Sequence, residues 1–305
     1  MKSKTMSLRR RKSKIWEDGY IFPVINTVLM VAISVIMFYP FLYCMLASVS
    51  DNSQLVTFRG ILLKPLGGIH FGAFAKAFAH PLVLSGLKNI LVILVCALPL
   101  NIVMTMICGY FMASKDVFFK KPIVLLILFT MYFSGGMIPT YLNIKDLGLY
   151  NTTAALVIPG CISVYNAIIT RTAIEAIPDS LTESARLDGA GELTILFRII
   201  VPLLKPTIAV LVLYYGVGHW NSWFPASIYI KDNALLPLQN ILRSVLIENT
   251  QLVESAAVSE AGQVSTYTET IKYAIIMIST LPIICIYPFL QKYFTKGVMI
   301  GAVKG

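Results

Sequence analysis

The most regularly spaced polar residues of this chain lie in one stretch, AIPDSLTESARLDGAGELTILFRIIVPLLKP, between two apolar segments. Pro178 suits the first turn of a helix, and Asp179 and Glu183 place negative charge toward the N-terminal half of that helix. The sequence Asp-Gly-Ala-Gly at 188–191 then predicts a break. We expect a second amphipathic helix from about Glu192 to Val201. The stretch therefore predicts a compact polar knob made of two helices and a glycine turn.

A second group of residues combines hydrogen-bonding groups with aromatic faces, which together suit a ligand that carries both hydroxyl groups and apolar patches. The candidates are Tyr165, Asn166, Tyr214, His219, Trp220, Asn221 and Trp223. An alternative applies to the two tryptophans, because Trp and Tyr also collect at membrane interfaces in proteins that bind nothing there. Asn166 requires a hydrogen-bond partner, which a neighbouring helix could supply.

Motifs for catalysis are missing from the sequence. It contains no GxxxxGK[ST] phosphate loop, no HExxH and no GxSxG. The five cysteines have neither CxxC pairing nor metal-ligand spacing, so we expect small apolar side chains rather than a metal site. The net charge of +10 comes without a basic stripe interleaved with aromatics, which argues against nucleic acid as a partner. We expect neither catalysis nor a cofactor on this chain.

The composition determines the elements that must position these residues. Of 305 residues, 57% are hydrophobic and only 13% charged, whereas a soluble domain carries about 25% charged residues. Uncharged runs long enough to span a bilayer predict an all-α integral membrane protein with six transmembrane helices. The expected spans are 20–48, 89–114, 122–143, 150–170, 206–230 and 272–292. Small residues at 134–136 interrupt the third span, where we expect close helix packing or a proline kink rather than a hinge.

The basic residues predict how the protein is oriented in a cell membrane. Of the 25 Lys and Arg residues, 17 fall on the side that holds both termini, whereas the 15 acidic residues divide 8 to 7. By the positive-inside rule, the basic tail 1–18, the loop 172–205 and the tail 297–305 are cytoplasmic. The loop 231–271 is then external. Its apolar residues Leu238, Ile241, Leu242 and Val245 share one helical face, which suits either a helix over the rim of the bundle or a surface for an external partner.

The cytoplasmic stretch resembles the EAA loop of ABC importer permeases, whose pattern is EAA, three residues, G, nine residues, I, one residue, LP. Glu183, Ala185, Gly189, Ile199 and Pro202 match the pattern, while Ser184 replaces the first Ala and Val201 replaces the Leu. The resemblance implies a type I importer permease fold in which this loop is a coupling helix docked on a separate ATPase. The residues to which it assigns that contact are Glu183, Ser184, Ala185, Asp188, Gly189, Ala190, Ile199 and Pro202.

Further segments are similar to the sugar-permease subfamily, and most closely to its LplC-type and YtcP-type members: residues 129–160, 164–172 and 218–230. This subfamily resembles the smaller permease subunit of the maltose importer and is associated with oligosaccharides and polysaccharide fragments. The resemblance implies a second homologous permease, two cytoplasmic ATPase subunits that hold ATP and Mg, and an external solute-binding protein. Two alternatives stay open: an ABC permease for a non-sugar solute, and a passive channel or membrane scaffold.

Overall fold

The computed structural model describes four ranges of the chain: 21–79, 81–115, 117–246 and 268–302. The predicted basic tail 1–18 lies outside them, as do 247–267 of the predicted external loop and 303–305 of the predicted C-terminal tail.

The described residues form helices and connecting turns, with no strand among them. The first eight helices are α1 (Ile21–Ser48), α2 (Asn52–Thr57), α3 (Gly72–Ala79), α4 (Pro81–Ala113), α5 (Lys120–Tyr132), α6 (Met137–Asp146), α7 (Ala154–Val157) and α8 (Val164–Glu175). The next five are α9 (Asp179–Leu187), α10 (Glu192–Thr194), α11 (Val201–Leu203), α12 (Lys205–Asn221) and α13 (Phe224–Tyr229). A π-helical turn, Ile195–Ile200, joins α10 to α11, and a 3₁₀ turn, Asn233–Leu235, precedes α14 (238–246) and α15 (Thr268–Ala302).

Within the part of the chain that the structure describes, three helices are long and apolar enough to cross a membrane without a break: Phe22–Ser48, Leu82–Ala113 and Glu269–Pro288. Two bent pairs raise that number to as many as five if each pair is one span. The predicted span 150–170 is divided between α7 and the start of α8. The all-α membrane fold is therefore confirmed, whereas the number six stays a prediction.

The first bent pair, α5 and α6, turns by 114° within the predicted span 122–143. The turn occurs at Gly136, where φ is +92° and ψ is 175°, a backbone region that only glycine adopts readily. No neighbouring atom lies within 4 Å of the position that a Cβ would take. The glycine is therefore required by the backbone conformation and not by close helix packing, which differs from the expectation drawn from the sequence.

The second bent pair joins the helical segment 192–203 to α12 at an angle of 87°. Pro206 lies in the first turn of α12, where its missing N–H leaves no hydrogen bond unsatisfied. The same proline could not continue the preceding helix, because its ring clashes with a carbonyl one turn earlier. The chain therefore bends at Leu204, and the knob emerges at a steep angle to the span that follows it.

Helix α4 lies at the centre of the bundle and contacts α3, α8 and α12, while α15 contacts α1, α3 and α12. The largest buried cluster includes Ile90 of α4, Trp220 of α12 and Ile275 of α15. Leu238, Ile241 and Val245 of α14 are buried in the same cluster, and Leu242 packs against it. The single apolar face predicted for this helix is confirmed, and it packs on the bundle.

Candidate functional site

The knob predicted from the sequence begins with α9, which ends in a Schellman motif. The backbone N–H of Gly189 donates to the Arg186 carbonyl at 3.0 Å, and the N–H of Ala190 donates to the Ala185 carbonyl at 2.9 Å. Gly189 has φ of +81°, and nothing lies within 4 Å of a Cβ built there. The turn therefore requires glycine for its left-handed backbone, in agreement with the break predicted at 188–191. The second helix starts at Glu192, also as predicted.

Apolar packing fastens the knob to the transmembrane bundle. Ala185 is buried in a cluster with Ile195 and Leu196 of the π-helical turn and with Met106 of α4. Ala190 and Ile199 are partly buried against the same cluster. Three of the residues assigned to the coupling contact therefore face inward. Their role in this structure is to hold the knob on the bundle.

Two polar links add to this packing. The Arg186 guanidinium donates to both carboxylate oxygens of Glu192, at 3.0 and 3.3 Å, and the Tyr110 hydroxyl of α4 donates to the same carboxylate. Arg186, and then Tyr110, hold the pKa of Glu192 below its usual value. The Lys115 ammonium just beyond α4 lies 2.6 Å from the Asp179 carboxylate at the start of α9. Both ends of α9 are thus tied to neighbouring parts of the bundle.

The opposite face of α9 is exposed. Glu183, Ser184 and Leu187 lie on it, and the Leu187 side chain is 89% exposed. Glu183 also lines a groove of about 420 Å³ between α9 and the end of α4. Asp188 caps α9, and Pro202 is exposed in α11. The sequence pattern did not single out Leu187, because a single exposed leucine is common on protein surfaces. Only its place on the outer face of the knob, beside Glu183 and Ser184, makes it a candidate for a protein contact.

A second candidate site is a cavity of about 660 Å³ between α7, α8, α12 and α13. Four of the seven predicted pathway residues line it: Tyr165, Asn166, Tyr214 and His219. The rings of Tyr165 and Tyr214 lie 6.3 Å apart at 43°, and both side chains are exposed to the cavity opening. The cavity therefore combines aromatic faces with an amide and an imidazole.

A buried polar network on α4 supports one wall of this cavity. The Asn101 amide nitrogen donates to the carbonyls of Gly160 and Cys161, at 2.9 and 3.1 Å. These two bonds orient the Asn101 side chain, so its oxygen accepts from His219 Nε2 at 2.9 Å. The imidazole is held with a proton on Nε2, which leaves Nδ1 as an acceptor when the ring is neutral.

The neighbouring Tyr215 belongs to the same wall. Its hydroxyl accepts from the Ser163 backbone N–H at 2.9 Å and lies 2.7 Å from the Thr105 hydroxyl. The predictions did not include Asn101 and Thr105, although they are polar residues four apart in an otherwise apolar span. Such spacing places both on one helical face and marks the side of α4 that meets other helices.

The other three predicted pathway residues do not line this cavity. Trp220 is buried, and its indole N–H donates to the Ser279 carbonyl of α15 at 3.0 Å. The Trp223 ring lies 3.8 Å beneath the Arg243 guanidinium, and Asn221 is exposed at the end of α12. The sequence could not separate these positions, because consecutive residues of a helix point to different neighbours.

The His, Cys, Asp and Glu side chains that could bind a metal ion are scattered among the described residues. Within the four described ranges, no three His, Cys, Asp or Glu side chains converge on a common point. The five cysteines are free thiols; four lie in α1, α4 and α15, and Cys161 lies in the connection between α7 and α8. The arrangement offers hydrogen-bonding groups and aromatic faces to a polar ligand between the helices, and an exposed helical face on the knob.

Comparison with known proteins gives consistent matches. Residues 68–300 match the family model for the binding-protein-dependent transport system inner membrane component. The chain is 38% identical to the protein LplC of Bacillus subtilis, over 94% of this chain and 96% of that protein. It is 35% identical to the polygalacturonan/rhamnogalacturonan transport system permease protein YtcP of the same organism, over 87% and 92%.

A solved structure also matches: a chain of a bacterial ABC transporter involved in the import of the acidic polysaccharide alginate. The two chains superpose with a TM-score of 0.80 at 29% identity, over 90% of this chain and 96% of that one. The resemblance noted from the sequence is thereby confirmed. The chain belongs to the binding-protein-dependent transport system inner membrane component family, and is an ABC importer permease subunit rather than an enzyme.

Proposed function

We propose that this chain is one of two permease subunits of an ATP-driven importer that moves oligosaccharides or polysaccharide fragments across the cell membrane. A solute-binding protein delivers the substrate from outside, and two ATPase subunits bind ATP and Mg on the cytoplasmic side. Both termini and the knob are cytoplasmic, as the distribution of Lys and Arg indicates.

The attachment of the knob is the observation that carries this proposal. Helix α9 is packed through Ala185, linked by Arg186 to Glu192 and tied by Asp179 to Lys115. A helix held at several points transmits force, because its backbone hydrogen bonds are internal. Its outer face offers Glu183 and Leu187 to a partner. Movement of an ATPase that grips this face is then passed to α4 and α12.

The cavity between α8 and α12 supports a sugar as the solute. Sugar rings present hydroxyls at their edges and C–H groups on their faces, and Tyr165 and Tyr214 offer flat apolar surfaces for the latter. Asn166 and His219 offer hydrogen bonds for the hydroxyls. The names of the relatives, which refer to polygalacturonan, rhamnogalacturonan and alginate, agree with a polymer-derived sugar.

Uptake by the reconstituted transporter tests the proposal. The full-length chain is co-purified with its accompanying subunits, inserted into liposomes and supplied with labelled oligosaccharides, the binding protein and either ATP or no nucleotide inside. We expect accumulation only with ATP and the binding protein. Uptake without nucleotide indicates a channel, and no uptake of any solute indicates a scaffold. ATP-driven uptake of amino acids or peptides in place of sugars indicates a non-sugar permease.

A further inference from the structure

A third cavity, of about 790 Å³, lies where α4 ends and α5 begins. Four basic side chains line it: Lys115, Lys120, Lys121 and Arg171. Its remaining wall is apolar and includes Leu125 and Leu128 of α5. Lys115 of this lining also takes part in attaching the knob, and none of the lining residues belongs to the solute cavity.

The charges of this cavity are only partly balanced. Lys115 pairs with Asp179 and Arg171 with Glu175, at 2.6 and 2.8 Å. Among the described residues, no carboxylate pairs with Lys120 or Lys121. Asp116, which is nearby in sequence, lies outside the described residues. The described lining therefore attracts an anion.

The apolar part of the cavity continues into an exposed apolar surface of α5. The Leu125 side chain is 69% exposed and Leu126 is 64% exposed. At the end of α5 where the lysines lie, Phe118 and Phe119 form an edge-to-face pair and are 85% and 68% exposed. Aromatic and basic side chains at the end of an apolar helix mark the boundary between hydrocarbon and headgroups.

We propose that this cavity binds the headgroup of an anionic phospholipid from the leaflet on the side of the knob, with its acyl chains lying along α5. The lysines meet the phosphate, while Leu125 and the phenyl rings contact hydrocarbon. A soluble anion would use only the charged half of the cavity, and an acidic protein surface would leave its apolar extension uncovered. The placement at a membrane boundary rests on the proposed orientation of the spans.

Lipid retention measured by native mass spectrometry tests this inference. The full-length protein, with the subunits that accompany it, is titrated with phosphatidylglycerol and with phosphatidylcholine of matched chains. Each lysine near an anionic lipid surface strengthens binding about fivefold. The double variant Lys120→Gln/Lys121→Gln should therefore bind phosphatidylglycerol about 30-fold more weakly than the wild type. Phosphatidylcholine binding should not change. Lys120→Arg/Lys121→Arg should retain the preference.

The matched control is Arg59→Gln/Lys64→Gln, which removes two exposed basic residues outside the cavity. It should retain lipid as the wild type does. An equal loss in the control, or an unchanged preference in the lysine variant, overturns the proposal. Full displacement of the lipid by soluble glycerol phosphate also overturns the proposal, because it would indicate an ordinary anion site. Loss of subunit assembly in the lysine variant with lipid retention intact overturns it as well, because it would indicate a protein-binding surface.

A second measurement does not depend on the variant folding. Phosphatidylglycerol with a photoreactive group near its headgroup should crosslink to the peptide 115–128 of the wild-type protein, and mapping elsewhere contradicts the site. Both assays measure binding and not transport. If the lipid binds as expected and ATP-driven uptake is absent, the proposed function fails while this inference stands.

Discussion

At the scale of single residues, Gly189 and Gly191 form a natural comparison. Both lie in the turn after α9, and both leave open space where a Cβ would be built. Only Gly189 has a positive φ, since Gly191 has φ of −72°. Any difference between substitutions at these two positions therefore reports on backbone conformation.

Gly189→Ala should weaken the knob by about 1–2 kcal/mol, the cost of a left-handed conformation for a residue with a Cβ. Gly189→Pro should abolish ATP-driven uptake, because proline cannot adopt φ of +81° and has no N–H for the Arg186 carbonyl. Uptake in proteoliposomes and membrane levels of the protein are the measurements. Gly191→Ala is the control, and equal losses in both alanine variants contradict the explanation.

Leu187 is the residue on which we expect ATPase docking to depend most. Its side chain is 89% exposed on the outer face of α9. Leu187→Asp should remove about 1.5–3 kcal/mol of apolar burial in the complex and so reduce recovery of the ATPase more than tenfold in co-purification. Leu63→Asp is the matched control, since Leu63 is 72% exposed before α3. Normal co-purification of the Leu187 variant rules out this anchor.

At the scale of elements, the link between α9 and α10 depends on the Arg186–Glu192 pair. Both side chains are more than a third exposed, so screening by water limits the pair to about 1 kcal/mol or less. A double-mutant cycle with Arg186→Gln and Glu192→Gln, read from thermal unfolding at pH 7, should give a coupling of this size. A cycle of Glu192→Gln with Arg198→Gln should give none, because these residues form no ion pair.

The pH dependence of the same cycle has a definite sign. The folded-state pKa of Glu192 lies below its usual value of 4.5, first because of Arg186 and then because of Tyr110. The stabilisation is therefore fully present above pH 4.5 and is lost as the pH falls through the lowered value. A coupling that disappears while the pH is still above 4.5 contradicts this account.

The bend between α5 and α6 makes a comparable prediction. Gly136→Ala places a Cβ at φ of +92°, which costs about 1–3 kcal/mol, and should lower the unfolding temperature of the detergent-solubilised protein. Gly135→Ala should be tolerated, because the added Cβ would lie in ordinary packing distance, 3.9 Å, of the Pro139 side chain. Equal unfolding temperatures for the two variants would falsify the requirement for glycine at this bend.

At the scale of the whole molecule, the prediction concerns orientation. In a cysteine-free background, Thr194→Cys, at an exposed position in α10 of the knob, should react with a membrane-impermeant maleimide only after the membrane is opened. Asn233→Cys, in the segment after α13, should react in intact cells. These outcomes follow from the excess of Lys and Arg on the side of the knob and the termini. The reverse labelling pattern would contradict both the predicted orientation and the proposed direction of transport.

Local structure can be predicted from the sequence, because turns and amphipathic helices depend on residues that are close together in the chain. The glycine at 189 was predictable, since a Schellman turn selects a residue without a Cβ, and α14 was predictable from its apolar period. The sequence predicts close packing or a proline kink at 134–136, because small residues serve packing and backbone turns alike and only the backbone angles distinguish the two. Asn101 was missed for a related reason: its partners are the carbonyls of Gly160 and Cys161, which lie far away in sequence.

The amino-acid sequence by itself determined that this is a membrane protein, that it is helical and that it carries the two-helix knob. These properties follow from hydropathy, charge and turn residues, which act over short stretches of chain. Tertiary structure decided which side chains share a cavity. Tyr165 and His219 meet there, whereas Trp220 packs on α15. Helix rotation and crossing determine these contacts, and they depend on the packing of residues that are remote in sequence.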